Sequence, residues 1–321
     1  MKEKAVIDAL PGFSIGLKTV LYSAYLHYHM GMSISKIIAT LSLQGMGITS
    51  GALIGAWNAL AKTYKPFYDI IHSTIKNSEE AVYADETGAR QKGKKFWLWS
   101  FSTKAEALFA IRKSRGGDVV REILGDIFRG ILVTDFWKPY LAVDASFRQW
   151  CLAHFLREFK KIEYARKSPP DEYWRFKKKV KRLFRDAIRE SEKENIVNED
   201  RQSAYNRFIK RLDDIVNVDY KDDDVVRLTK RLKKYRDGFF TFVVKDVDST
   251  NNHAERMIRY AVIMRKISFH TMSAKGSETM SILMTIFKTL ELRSGNVFKE
   301  ALVIAQDEIV KKKYHKIDLA A

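Results

Sequence analysis

Three acidic residues could do chemistry together, and two of them stand where acids have little structural use. Asp85 lies in Tyr83-Ala84-Asp85-Glu86-Thr87-Gly88, directly after the apolar run Ala81-Val82-Tyr83. Asp135 ends a second apolar run, Gly130-Ile131-Leu132-Val133-Thr134. Glu255 falls in Asn252-His253-Ala254-Glu255-Arg256, at the start of a helical stretch that continues through Met264. Strands buried on both faces have no packing use for a carboxylate, so acids on them point to a site. An acid on a first strand, an acid ending a later strand and an acid on a helix after a long insertion suit two-metal phosphoryl transfer. That chemistry holds two Mg²⁺ ions about 3.5–4 Å apart, activating the attacking oxygen and stabilising the leaving one. Mg²⁺ takes hard oxygen ligands and keeps several waters, so a few carboxylates suffice and Mn²⁺ can replace it. On this reading Asp85 bridges both ions, Asp135 holds one and Glu255 the other.

Each acid also has a plain reading. Asn252-x-x-Glu255 is the outline of a capping box, with Asn252 as the N-cap and Glu255 reaching back. Asp135 alone could cap the turn that follows it, and Asp85 alone could sit in a hairpin turn. Their joint occurrence is what favours a site. Arg256 and Arg259 neighbour Glu255 on one helix, where they reach DNA phosphates or serve as surface charge. Ser114-Arg115-Gly116-Gly117 opens a helix and could cradle a phosphate, although it also reads as a plain loop. Cys151-x-x-His154 could be half a zinc site, but no second Cys-x-x-His or Cys-x-x-Cys completes it. Otherwise the pair is buried core.

These residues need elements to carry them. Residues ~14–80 read as all-helical. Within them Ser33–Leu41 is amphipathic, Gly45-Met46-Gly47 breaks it, and Ile48-Thr49-Ser50 opens a helix through Trp57 and Leu60. This is the outline of a helix-turn-helix. A further helix is expected from Tyr64 to Lys76. Next come Ala81–Tyr83, the aromatic strand Phe96-Trp97-Leu98-Trp99-Ser100-Phe101, and a third strand, Ala107–Ile111. A helix through Leu124 leads to the run ending in Asp135, a turn at Pro139, a short strand at Arg148–Cys151 and a helix beginning near His154. Three strands, helix, strand, helix, strand, helix is the order of a ribonuclease H-like sheet, in which the first and fourth strands are neighbours. The expected fold class is thus α/β, a ribonuclease H-like mixed sheet flanked by helices. It has a helical N-terminal region and an all-α insertion before the last catalytic helix. The boundaries read as 1–78 for the N-terminal region, with its candidate helix-turn-helix. Residues 79–166 and 248–295 form the catalytic domain, 167–247 the basic helical insertion and 296–321 a C-terminal helix and polar tail. Pro169-Pro170 opens the insertion, whose apolar residues recur at helical spacing. Asp219-Tyr220-Lys221-Asp222-Asp223-Asp224 resembles an epitope tag by coincidence.

Composition narrows the class further. The 321 residues carry 57 Lys and Arg against 39 Asp and Glu, a net charge of +18, and a pI near 9.7. A basic excess of this size is an argument about partners, and nucleic acid is the commonest. The single cysteine, Cys151, excludes an internal disulfide framework and any multi-cysteine zinc finger, as expected for a reducing cytoplasm. No secretory signal is visible, and Val20–Leu26 is too short to span a bilayer.

Four segments resemble, in order, the DDE transposases of the insertion-sequence-66 group. They are the string DETG at Asp85–Gly88, LVTDFWKPY around Asp135, Cys151-Leu152-Ala153-His154, and Asn252–Arg259 followed by Arg265-Lys266-Ile267-Ser268. The resemblance runs from about residue 14 to 305. It implies a ribonuclease H-like catalytic domain interrupted by a helical insertion, with Asp85, Asp135 and Glu255 as the metal-binding triad. The candidate DNA contacts are Arg256, Arg259, Arg265, Lys266, His154, Asn252 and Arg115. Longer members carry an N-terminal cysteine-rich, zinc-binding segment that this sequence lacks, as in a short form, a fragment, or one of several proteins of an element. The activity implied is metal-dependent cleavage at mobile-element ends, then strand transfer of the 3′-hydroxyl into target DNA. The implied partners are double-stranded DNA (terminal inverted repeats and target), a second copy of the chain or a higher oligomer, and accessory element-encoded proteins. A structure-selective nuclease or resolvase on the same fold, and a non-catalytic DNA-binding derivative, are the alternatives.

Overall fold

The computed structural model describes residues 9–193, 198–268, 271–293 and 295–318, without the side chains of 268 and 312–318. In chain order the elements are α1 (Leu17–Tyr28), α2 (Ile34–Ser42), α3 (Ser50–Lys76), β1 (Ala81–Gln91), β2 (Lys94–Ser102) and β3 (Ala107–Arg112). Then come α4 (Gly117–Leu124), β4 (Ile127–Thr134), a 3-10 turn over Lys138–Ala142, β5 (Asp144–Trp150) and α5 (Leu152–Ala165). The insertion supplies α6 (Asp171–Ser191), α7 (Asn198–Val216), α8 (Asp223–Lys234), a 3-10 turn at Arg236–Gly238 and α9 (Thr241–Val244). The chain closes with α10 (Asn252–Ser268), α11 (Ala274–Leu292) and α12 (Val297–Asp318).

The strands form one sheet in the order β3-β2-β1-β4-β5. β2 and β3 are antiparallel, while β1 with β4 and β4 with β5 are parallel. This is the mixed, ribonuclease H-like α/β arrangement the sequence predicts, with the first and fourth strands side by side. Tyr83 pairs with Val133 at the end of the β1–β4 register, so Asp85 and Asp135 each lie two positions beyond the last β1–β4 pair.

The chain divides into two compact units. One comprises Met1–Lys76, Asp85–Val119 and Ala254–Ala321. Its α11 closes the outer edge of β3 with a ladder of hydroxyls. Ala107 N donates to Thr289 Oγ1 at 3.1 Å, Phe109 N to Thr285 Oγ1 at 2.9 Å and Ile111 N to Ser281 Oγ at 3.2 Å. Four helical residues advance about 6 Å and two strand residues about 6.6 Å, so hydroxyls at every fourth position of α11 meet alternate amides of β3. An edge strand would otherwise offer open amides to another chain.

Two helices expected at Ile48–Leu60 and Tyr64–Lys76 are one helix, α3, running through Pro66. Proline removes one helical hydrogen bond. The buried stripe Leu53, Trp57, Leu60, Tyr64, Ile71 and Ile75 nonetheless stays in helical phase on both sides of it. Tyr64 donates to Ala301 O at 2.7 Å, fixing α3 to α12.

The other unit comprises Asn77–Ala84 and Val120–His253. Its core is aromatic: Phe136, Trp150, Phe155, Phe159, Phe184, Phe239 and Phe240 are all buried in one cluster. Here the insertion helices dock on the end of β5. Phe242 N donates to Gln149 Oε1 at 3.0 Å, and a Cβ on Gly238 would lie 2.5 Å from Trp150 Nε1. The helix expected from His154 begins earlier, at Leu152. The tag-like acidic run is structural: Asp222 caps α8 by accepting from Val225 N, and Arg166 bridges Asp222 and Asp224 at 2.8 and 2.9 Å.

Candidate active site

Asp85 is half-buried on β1, and its Oδ1 accepts from Glu86 N at 2.9 Å. Glu86 has a different fate. Arg115 engages its carboxylate at 2.8 Å, and the guanidinium stacks on Trp97 at 4.3 Å. Arg115, expected as a phosphate contact, is therefore bound to the neighbour of Asp85. The glycine loop beside it is self-contained: Gly116 N donates to Ser114 Oγ, and Ser114 Oγ donates to Asp118 at the start of α4. Further along β1, Arg265 donates to Gly88 O at 2.6 Å and to Thr87 Oγ1 at 3.3 Å, so it ties α10 to the strand.

Asp135 is the first residue beyond β4. Its Oδ1 accepts from Trp137 N at 2.8 Å, an Asx turn that fixes the carboxylate rotamer.

The three chain segments that lead to the acids are bonded to one another. Asn251, 1% exposed, donates through Nδ2 to Ala84 O at 2.9 Å, immediately before Asp85. Asn251 N donates to Cys151 Sγ at 3.1 Å. Cys151 N in turn donates to Thr134 O at 2.9 Å, immediately before Asp135, and Leu152 N donates to Ser249 O at 3.0 Å. A carbonyl oxygen can only accept, so Nδ2 must face Ala84 and the Asn251 amide orientation is fixed. Its Oδ1 is buried and has no hydrogen-bond partner among the described residues.

This bonding corrects the capping-box reading of Glu255. Asn252 is already the first helical residue and is exposed, while the residue before it spends its side chain on Ala84. Glu255 therefore lies in the first turn of α10, half-buried. Asn251 was not legible in the sequence, because an asparagine ahead of a helix reads as a cap and its partner lies 167 positions away.

Residues 14–279 match the family described as Transposase IS66 family. The chain belongs to the IS66 transposase family. No curated protein matches it. For a transposase of this family the Cys151-x-x-His154 pair is now readable: Cys151 Sγ accepts the Asn251 amide hydrogen, and His154 Nε2 accepts from Arg157 at 3.0 Å. Among the described residues no three His, Cys, Asp or Glu side chains are gathered closely enough to hold a metal ion. The exposed face of α10 presents Asn252, Arg256, Arg259, Ile263 and Lys266 at helical spacing. Tyr83, beside His253 at 4.9 Å between ring centroids, accepts from Asp248 N. Burial pushes its phenol up to about 12. No helix among the described residues is long and apolar enough to cross a membrane.

Proposed function

We propose that this IS66-family chain is a DDE transposase that cleaves mobile-element ends and joins the freed 3′-hydroxyl to target DNA. The observation that carries the reading is the bonded junction of Ala84, Thr134, Cys151 and Asn251. It fixes the backbone leading into Asp85, Asp135 and the α10 turn that holds Glu255.

The donor chemistry fits hard divalent cations. The three side chains offer only carboxylate oxygens, the hard donors that Mg²⁺ takes. Like charges repel, so bringing three carboxylates together needs a cation among them. Asp85, Asp135 and Glu255 would hold two Mg²⁺, or Mn²⁺ in their place; when bound, such a pair would supply an activated water and offset charge on the leaving oxygen.

The protein's own residues do the rest. Asp135 and Asp85 keep their rotamers through Trp137 N and Glu86 N. Asn252, Arg256, Arg259 and Lys266 line the exposed face of α10 and bind the DNA backbone. Hydrolysis at the element end breaks the phosphodiester and leaves a 3′-hydroxyl. That hydroxyl attacks a target phosphodiester in line, forming the new bond as the target 3′-oxygen leaves. No covalent protein–DNA intermediate is involved, and pairing two ends implies at least a dimer on DNA.

The test is a strand-transfer assay with pre-cut element ends and a supercoiled target. Joined products requiring Mg²⁺ or Mn²⁺ support the reading. Hydrolysis of intact ends without joining identifies a nuclease or resolvase, and metal-independent binding without cleavage identifies a DNA-binding derivative.

A further inference from the structure

Helix α6 buries Tyr173, Phe176, Val180, Leu183, Phe184 and Ala187, which at ~100° per residue occupy one side of the helix. The opposite side carries Arg175, Lys178, Arg182, Arg185 and Arg189, with Lys179 on its flank, all exposed. Five of the six form no ion pair with a carboxylate among the described residues, and Arg182 reaches Asp186 only at 3.9 Å. The acids flanking the stripe are engaged from elsewhere. Asp186 pairs with Arg211 at 2.7 Å, and Glu190 with Lys193 at 2.7 Å and Arg207 at 3.3 Å.

Folding alone does not explain such a stripe. Like charges three and four residues apart on a helix destabilise it, and an acid at every fourth position would relieve the repulsion. The same unit does pair cations elsewhere, as in Arg227 with Glu158 and Arg236 with Asp213. From Arg175 to Arg189 the helix advances about 21 Å. Over that length one strand of a duplex presents about six phosphates, which matches the six cations.

We infer that the outer face of α6 is a contact for the phosphate backbone of duplex DNA, sequence-independent and separate from the acids. The inference rests on the proposed action on DNA, but not on the metal chemistry.

The test is equilibrium binding of the full chain to a duplex in EDTA, where cleavage cannot contribute, across a salt series. The stripe variant R182Q/R185Q/R189Q is compared with K160Q/K167Q/K210Q, which removes equal charge from exposed positions outside α6. Neutralising three phosphate contacts lowers the slope of log affinity against log salt by about 2.7. The stripe variant is expected to lose that much while unfolding at or above the wild-type temperature, and the control is expected to keep the wild-type slope. Equal slopes for the two variants overturn the inference, as does a wild-type chain that binds no duplex at low salt. Failure of strand transfer with the slope difference intact would count against the catalytic reading alone.

Discussion

Asn251 is the residue on which the approach to the site turns. Its amide ties the residue ahead of α10 to the last residue before Asp85, and both groups are buried. Asn251→Ala leaves the Ala84 carbonyl without its partner, at a cost of about 1–3 kcal/mol. Asn251→Asp sets a carboxylate against that carbonyl and is expected to be worse. Urea denaturation orders the variants wild type, Ala, Asp; an Asp variant as stable as wild type would contradict the assignment. Tyr83 supports the direct mechanism in another way. With its phenol raised to about 12 by burial, it stays protonated at neutral pH and is a poor nucleophile. Tyr83→Phe is therefore expected to keep cleavage activity, losing the hydroxyl's hydrogen bonding to Asp248, worth about 1 kcal/mol. Loss of activity together with a trapped protein–DNA adduct in the wild type would refute this. Asp85 and Asp135 draw attention in the sequence because each stands at the end of an apolar run, whereas Asn251 depends on a contact that no local pattern announces.

The hydroxyl ladder makes α11 more than a hydrophobic cover. Thr285 is fully buried and holds the Phe109 amide at 2.9 Å. Thr285→Val keeps the shape but strands that amide, so a loss of about 1–3 kcal/mol is expected in denaturant unfolding; an unchanged midpoint would show the bond to be dispensable. The α1 helix sets a pH dependence. His27 stacks on Trp57 and donates through Nδ1 to Met32 O at 2.7 Å. Burial lowers its pKa below 6.5 despite that bond, and burial lowers His29 likewise against the pull of Glu291. Below pH 6.5 the unfolded chain takes up protons that the folded chain resists. Stability is therefore full above about pH 6.5 and falls as the pH drops toward the folded pKa values. Urea midpoints at pH 7.5 and 5.5 should show that fall, and H27N/H29N should flatten it. The strands were legible because apolar runs and turns punctuate 81–134, whereas their order in the sheet followed only from the ribonuclease H-like sequence of elements. The continuity of α3 was not legible, because Pro66 suits the first turn of a separate helix from Tyr64, and the phase of the buried stripe shows only in the packed helix. The ladder was equally hidden, since Ser281, Thr285 and Thr289 read as ordinary polar residues in an apolar helix.

At the scale of the whole chain, membership of the IS66 transposase family, a net charge of +18 and a ribonuclease H-like sheet agree with one another. A basic chain that grips DNA through several phosphates should lose about 10³–10⁵ in duplex affinity between 50 and 200 mM salt; a flat salt response would argue against phosphate-led binding. The central claim is that Asp85, Asp135 and Glu255 act together. The most direct measurement scores Mg²⁺-dependent cleavage of element-end DNA by wild type and by Asp85→Asn, Asp135→Asn and Glu255→Gln, with thermal unfolding of each. The account predicts that each substitution removes at least about 100-fold of the activity, the scale seen when one charge-stabilising group is deleted. It also predicts little change in unfolding and no further loss when two substitutions are combined. Full cleavage by Glu255→Gln, or losses that track unfolding, would contradict it and require the third acid to be sought elsewhere.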